Sequence, residues 1–193
     1  GQNKHERVLI RDRNNKSVPR DDTRGFPIRW NERAVVMEDE TYQLAAMGKA
    51  AFDALFSLLA SDDPWLQINA AFALGEITES PKNIMSQLIE LLGSRHQQVV
   101  RQVLDTLAFK TTHLTEACYE AIKNVIRTEN SDWLVPLVQR GWTAQDQIRL
   151  NAAFLLLNAT NCPNRYPQVE ELLTDLLLDK NGYAAAVAAE GLV

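Results

Sequence analysis

The chain has 193 residues, of which 46% are hydrophobic and 23% are charged, and its formal net charge at pH 7 is −5. A chain of this length and composition buries roughly two thirds of its unfolded surface in one domain, which excludes a protein that is disordered throughout. No run approaches the roughly 20 apolar residues that cross a bilayer, and Lys4, His5 and Arg7 lie where a signal peptide would be apolar. We therefore expect a cytoplasmic protein with no membrane partner.

The first predicted unit, residues 1–40, is an irregular basic N-terminal arm. Residues 1–33 carry nine basic side chains against five acidic ones, a net charge of +4, whereas the other 160 residues carry 11 against 20, a net charge of −9. Pro19 and Pro27 interrupt any helical period. The apolar residues Phe26, Ile28 and Trp30 indicate that part of the arm packs on the rest of the chain. A basic arm before an acidic body either reaches for phosphates or folds back on that body, and we favour the second.

From Thr41 onward the apolar residues recur at three- and four-residue steps, which predicts an all-α helical-repeat domain over residues 41–193. The predicted helices are 42–60, 64–78, 82–92, 98–109, 113–127, 132–140, 144–159, 167–178 and 182 to the end. Side-chain oxygens of Asp63, Ser80, Ser131 and Thr143 are expected to cap helix starts, because each precedes a helical period.

Internal repetition is the strongest single signal. Leu66–Leu74 recurs as Ile148–Leu156 with five identical positions in nine, and weaker copies lie at 100–108 and 184–192. The steps between the copies are 34, 48 and 36 residues. Steps in the thirties indicate stacked helical hairpins, and the step of 48 predicts a distorted repeat or an extra short helix. In the helix 64–78, one apolar stripe is predicted to face the core: Leu66, Ala70, Ala73, Leu74 and Ile77.

The pattern of one repeat also resembles a known family. Leu58 and Leu59 form an apolar pair, and Asp62-Asp63-Pro64 forms an Asp-rich turn. A second helix follows that reads Leu66-Gln67 to Ala70, Ala73, Leu74 and Gly75. This is similar to HEAT repeats of the type found in phycobilisome lyases, over about residues 45–193. The resemblance implies an armadillo-like right-handed α-α superhelix, a short α-solenoid of HEAT-like hairpins.

The family's second helices carry an arginine that links neighbouring repeats through turn aspartates. At that position this chain has Arg101 and Arg149, but also Gln67 and Ala185. The resemblance therefore implies an incomplete ladder of charge pairs.

No catalytic, cofactor-binding or metal-binding residue is predicted. The sequence contains no phosphate loop, Rossmann turn, zincin helix or nucleophile elbow. The histidines His5, His96 and His113 have no spacing typical of metal ligands. We expect a protein that is not an enzyme.

The candidate binding residues lie on the helix faces turned away from the core stripe, where HEAT-like stacks have their concave surface. They are Trp65, Ile68, Phe72, Arg101, Thr106, Arg149, Leu150 and Phe154. Phe72 and Phe154 are unusual, because that face is commonly polar. Three explanations stay open: a groove for a partner, cover by the arm through Phe26, Ile28 and Trp30, or packing between neighbouring repeats.

The leading functional hypothesis is a non-catalytic scaffold that binds another protein on a concave helical surface. One alternative from the resemblance is a bilin lyase or bilin-handling protein. Another is the C-terminal accessory module of a larger enzyme, because residues 11–19 are similar to a linker in phytanoyl-CoA-dioxygenase-like oxygenases. The acidic body argues against a nucleic-acid partner. The last repeat ends at Gly191-Leu192-Val193 without a polar capping helix, so self-association through it is a further hypothesis.

Overall fold

The computed structural model describes residues 10–11, 17–18, 39–79, 83–137, 141–162 and 167–193. In these ranges the α-helices are α1 (Asp39–Ala46), α2 (Phe52–Leu59), α3 (Pro64–Glu76), α4 (Ile84–Leu91), α5 (Gln97–Ala108), α6 (Glu116–Arg127), α7 (Ala144–Thr160), α8 (Gln168–Leu177) and α9 (Gly182–Leu192). The predicted all-α class is confirmed there, apart from a ribbon of two-residue antiparallel strands, β1 (Ile10–Arg11) and β2 (Ser17–Val18). The rest of residues 1–38, to which most of the predicted arm belongs, lies outside the described residues.

The helices after α1 pack in chain order as four hairpins, α2–α3, α4–α5, α6–α7 and α8–α9. The first helices of the hairpins contact one another in succession, and we call α2, α4, α6 and α8 the first layer. The second helices do the same, so that α3, α5, α7 and α9 form a second layer. This arrangement explains the repeated sequence, because a hairpin can bury its apolar stripe only against its neighbours.

Leucine and isoleucine side chains from both layers fill the core. The fully buried ones include Leu55, Leu74, Leu88, Leu104, Leu107, Ile122, Ile148, Leu155 and Leu172. The stripe predicted for α3 is buried at Ala70, Ala73, Leu74 and Ile77. The prediction is wrong for Leu66, which is 37% exposed, because it lies in the first turn of α3 beside an exposed turn at residues 62–63.

Two of the predicted helix caps are confirmed. The carboxylate of Asp63 accepts a hydrogen bond from the backbone N–H of Trp65 at 2.8 Å. Thr143 and Asp146 form a reciprocal capping box at the start of α7. The predicted cap at Ser131 is wrong, because Ser131 begins a 3-10 helix that Asn130 caps instead. The predicted cap at Ser80 lies outside the described residues.

The helix predicted over 42–60 is interrupted. It consists of α1, a 3-10 turn at Gly48–Ala51 and α2. Gly48 has a φ of +59°, a left-handed conformation that glycine adopts without steric cost and that ends a helix. The turn separates the axes of the two helices, so α1 packs on α3 instead of extending α2.

The helix predicted over 132–140 is also absent from the described part of that range. A 3-10 helix spans Ser131–Trp133, and Pro136 forms an isolated antiparallel bridge with Thr143, while residues 138–140 are not described. Proline lacks a backbone N–H and disfavours helical geometry in the residue before it, here Val135. We call residues 128–143 the insertion, since they account for the repeat step of 48 residues.

Candidate functional site

The candidate binding residues all lie on second-layer helices. Trp65, Ile68 and Phe72 are on α3, Arg101 and Thr106 on α5, and Arg149, Leu150 and Phe154 on α7. Ile68, Arg101, Thr106 and Leu150 are buried. Trp65, Phe72, Arg149 and Phe154 are half-buried, so solvent reaches this set mainly through three aromatic rings and one guanidinium group.

Thr106 holds two second-layer helices together. It is 1% exposed, and its hydroxyl donates a hydrogen bond to the carbonyl oxygen of Ala71 at 2.7 Å. Gly75 faces the same side chain, since a Cβ built on Gly75 would lie 3.4 Å from Thr106 Oγ1. At this position, packing between repeats is the explanation that matches the contacts.

Phe72 lies against α1. Its ring meets the ring of Tyr42 edge to face, with the centroids 5.4 Å apart. Beside this pair, Thr41 Oγ1 donates to Asn69 Oδ1 at 2.8 Å, and Asn69 Nδ2 donates to the carbonyl oxygen of Trp65 at 2.8 Å. One edge of the Phe72 ring is therefore occupied by a neighbouring helix of the same chain.

The asparagine of the repeated segment forms hydrogen bonds to a neighbouring helix in two hairpins, as Asn69 and as Asn151. Asn151, the counterpart of Asn69 in the sequence repeat, reaches from α7 to α5, where its Nδ2 lies 3.3 Å from Asp105 Oδ1 and 3.4 Å from the carbonyl oxygen of Arg101. Its Oδ1 accepts a hydrogen bond from Gln147 Nε2 at 2.9 Å. The sequence repeat contained this signal, although sequence reasoning did not assign the asparagine a role.

Arg101 joins this polar cluster through its backbone carbonyl oxygen, which Asn151 contacts. Its side chain is almost fully buried, and Nη1 donates to Gln97 Oε1 at 3.1 Å. Arg101 therefore belongs to the interior of the second layer more than to an accessible surface.

Arg149 links two hairpins. Its Nε donates to the carbonyl oxygen of Ile126 at the end of α6 at 3.1 Å, and its Nη1 lies 3.4 Å from Asp179 Oδ2 in the turn between α8 and α9. At the equivalent position of the first hairpin, Gln67 Nε2 donates to the carbonyl oxygen of Ser61 at 2.7 Å. The arginine thus bridges repeats, whereas the glutamine closes its own turn.

Lys110 is a buried charge that the sequence did not reveal. Its ammonium group donates a hydrogen bond to the carbonyl oxygen of Ile77, just after the end of α3. Burial lowers the pKa of Lys110, and the nearby carboxylate of Glu76 opposes that shift. Because the contact joins residues 33 positions apart, no local pattern could have indicated it.

The comparisons with known proteins support a fold and no family. No family model and no curated protein matches the chain. A similar solved structure is the crystal structure of an engineered protein from the Northeast Structural Genomics Consortium, with 20% sequence identity and a TM-score of 0.52. The match covers 89% of this chain and 75% of the engineered one. At this identity the likeness concerns the fold alone.

The first layer carries an ion-pair network of its own. Arg127 on α6 donates to Asp175 Oδ2 and to Glu171 Oε1 on α8, both at 2.7 Å. The hydrogen bond from Arg127 holds the pKa of Glu171 below its ordinary value, and the bond to Asp175 contributes most to the raised pKa of Arg127. The exposed pairs tie two first-layer helices together, but salt screens them.

The described ranges contain no cluster of three or more His, Cys, Asp or Glu side chains that could hold a metal ion. In the same ranges no helix is long and apolar enough to cross a membrane. The second layer carries half-buried aromatic rings on α3 and α7.

Proposed function

We propose that the chain is a non-catalytic scaffold that binds another protein through its second layer, as a HEAT-like stack with a concave face and a right-handed superhelical twist. The observation that carries the proposal is the recurrence of a half-buried phenylalanine, Phe72 and Phe154, at the same repeat position on α3 and α7. An aromatic side chain at equivalent positions of one layer is suited to anchoring a ligand that crosses several helices.

The dimensions suit a peptide segment. α3, α5 and α7 lie side by side, and adjacent packed helices are about 8–10 Å apart, which puts Phe72 and Phe154 roughly 20 Å from each other. An extended peptide covers that distance in about six residues. A partner segment of this length would contact both rings and the half-buried Trp65.

A cytoplasmic location is part of the same proposal. It is supported by the two cysteines, Cys118 and Cys162, which are both free thiols. Unpaired cysteines suit a reducing compartment.

The test is capture of partners from the native source with the wild-type chain and with a Phe72→Ala/Phe154→Ala double variant. The double variant should lose the captured partner, because it lacks both anchors. Phe109→Ala is a control for the loss of an exposed phenylalanine: Phe109 is 74% exposed and follows α5, at a repeat position that differs from that of Phe72 and Phe154.

Circular dichroism and urea unfolding establish that each variant is folded before capture. If removal of the Tyr42–Phe72 ring contact destabilises the double variant, the Phe154→Ala single variant takes its place in the capture experiment. A folded anchor variant that captures the same partners as the wild type would refute the proposal.

A further inference from the structure

The insertion is the part of the chain that departs from the repeat, since it lengthens one step to 48 residues where the others are 34 and 36. Insertions into a stack of repeats form loops on one face, and that face is often the one that binds partners. The described residues of the insertion are therefore a candidate interaction surface.

The first part of the insertion is fixed by hydrogen bonds. At its start, Asn130 N donates to Gln145 Oε1 at 3.0 Å, and Gln145 Nε2 donates to the carbonyl oxygen of Thr128 at 2.9 Å. Trp133 is 3% exposed, and its indole N–H donates to the carbonyl oxygen of Ser94, in the turn between α4 and α5, at 3.0 Å. The loop is thereby anchored to its own hairpin and to the preceding one.

Directly after these anchors the insertion presents apolar side chains to solvent. Leu134 is 43% exposed and Val135 is 53% exposed, immediately after the buried Trp133. The carbonyl oxygen of Val135 accepts a hydrogen bond from Ala144 N at 2.9 Å, which holds this segment against the start of α7. Leucine and valine are therefore displayed by a backbone of defined geometry.

The segment that pairs with residues 135–137 brings a further apolar side chain, Trp142, to the last hairpin. The ring of Trp142 meets the ring of Tyr183 edge to face, with the centroids 5.3 Å apart, and Tyr183 is 56% exposed. We call Leu134, Val135, Trp142 and Tyr183 the insertion patch. It combines an aliphatic pair with an aromatic pair, a composition typical of protein-binding surfaces.

The charge around the insertion patch selects a type of partner. From residue 39 onward the described ranges contain 19 acidic and 8 basic residues. Six of the basic ones are already buried or ion-paired within the chain, namely Lys49, Arg101, Lys110, Lys123, Arg127 and Arg149. In the described part of the insertion Glu129 and Asp132 are exposed, and their carboxylates would attract a cationic ligand.

We propose that the insertion patch docks a basic amphipathic segment of a partner protein. Aliphatic side chains of the segment pack on Leu134 and Val135, and its lysine or arginine side chains lie near Glu129 and Asp132. The patch does not include the anchors of the proposed scaffold function: Leu134, Val135 and Trp142 lie in the insertion and Tyr183 begins α9, whereas Phe72 and Phe154 lie on α3 and α7.

The test measures binding of a fluorescein-labelled, 18-residue leucine–lysine amphipathic peptide to the full chain by fluorescence anisotropy. A leucine–glutamate peptide of the same pattern is the charge control. We expect the lysine peptide to bind at least about tenfold more tightly than the glutamate peptide at low salt, and the difference to shrink as salt screens the charges.

Two sets of variants locate the binding surface. Leu134→Ser/Val135→Ser should weaken binding of the lysine peptide about tenfold, since removing each apolar side chain reduces the affinity a few-fold. Glu129→Gln/Asp132→Asn should reduce the salt dependence. Phe109→Ser, at an exposed apolar residue outside the insertion, should bind like the wild type.

All of these substitutions change exposed side chains, and circular dichroism verifies the fold. Equal binding of the two peptides, unchanged binding by the Leu134→Ser/Val135→Ser variant, or an equally weakened affinity in Phe109→Ser would each overturn the docking proposal. None of these outcomes bears on the Phe72 and Phe154 experiment, so the two proposals fail independently.

Discussion

Trp133→Phe is the sharpest test of how the insertion is held. The substitution keeps an aromatic ring in the buried site but removes the indole N–H that bonds the carbonyl oxygen of Ser94. Loss of that hydrogen bond costs about 1 kcal/mol. The smaller ring buries about 50 Å² less apolar surface, which at about 25 cal/mol per Å² costs a further ~1.2 kcal/mol. We therefore expect the free energy of unfolding to fall by about 2 kcal/mol.

Urea unfolding followed by far-ultraviolet circular dichroism measures this change without relying on tryptophan fluorescence. With a slope of about 2 kcal/mol per molar urea, the midpoint should fall by about 1 M. Trp142→Phe is the matched control, because Trp142 is half-buried and contacts Tyr183 through its ring. If Trp133→Phe shifts the midpoint no more than Trp142→Phe does, the assignment of Trp133 as the anchor of the insertion is wrong.

Three further outcomes follow from the contacts. Gly75→Ala should raise the melting temperature, because the added Cβ has no contact closer than 3.4 Å and alanine favours a helix by about 1 kcal/mol. Gly191→Ala should lower it instead, because its Cβ would lie 2.9 Å from the buried Leu173 Cδ1, and overpacking of this kind costs about 1–3 kcal/mol. Glu171→Gln should destabilise the chain more at pH 7 than at about pH 3: the bond from Arg127 lowers the pKa of Glu171, so its contribution is fully present above 4.5 and is lost as the pH falls through the lowered pKa. Urea midpoints of wild type and variant at both pH values check this, and an undiminished difference at low pH would contradict it.

The repeated segments predicted the helices well, because their apolar positions recur where neighbouring hairpins pack against each other. Leu66–Leu74 and Ile148–Leu156 both lie in second-layer helices, and the caps at Asp63 and Thr143 are local hydrogen bonds that short sequence patterns describe. Periodicity alone could not place the break at Gly48, since a single glycine is compatible with a helix and its φ of +59° depends on how α1 packs.

The second layer was harder to interpret than its helices. Assigning residues to a free face assumes that one side of each helix meets solvent, but second-layer helices also have a neighbour on each side. Thr106 is therefore buried between α3 and α5, and Arg101 lies in a polar cluster between α5 and α7. Lys110 bonds a carbonyl group in another hairpin, a contact for which spacing within one repeat contains no information.

The short helix α1 changes the order in which the helices should exchange their amide hydrogens. In a linear array, a unit with a neighbour on only one side exchanges its amide hydrogens soonest, because fewer interfaces must break. α1 packs on the side of α3 that no other hairpin covers, through the Thr41–Asn69 hydrogen bond and the Tyr42–Phe72 ring contact. The amides of α3 should consequently be protected almost as long as those of α5, and removal of the Thr41 hydroxyl should shorten the protection of α3 selectively.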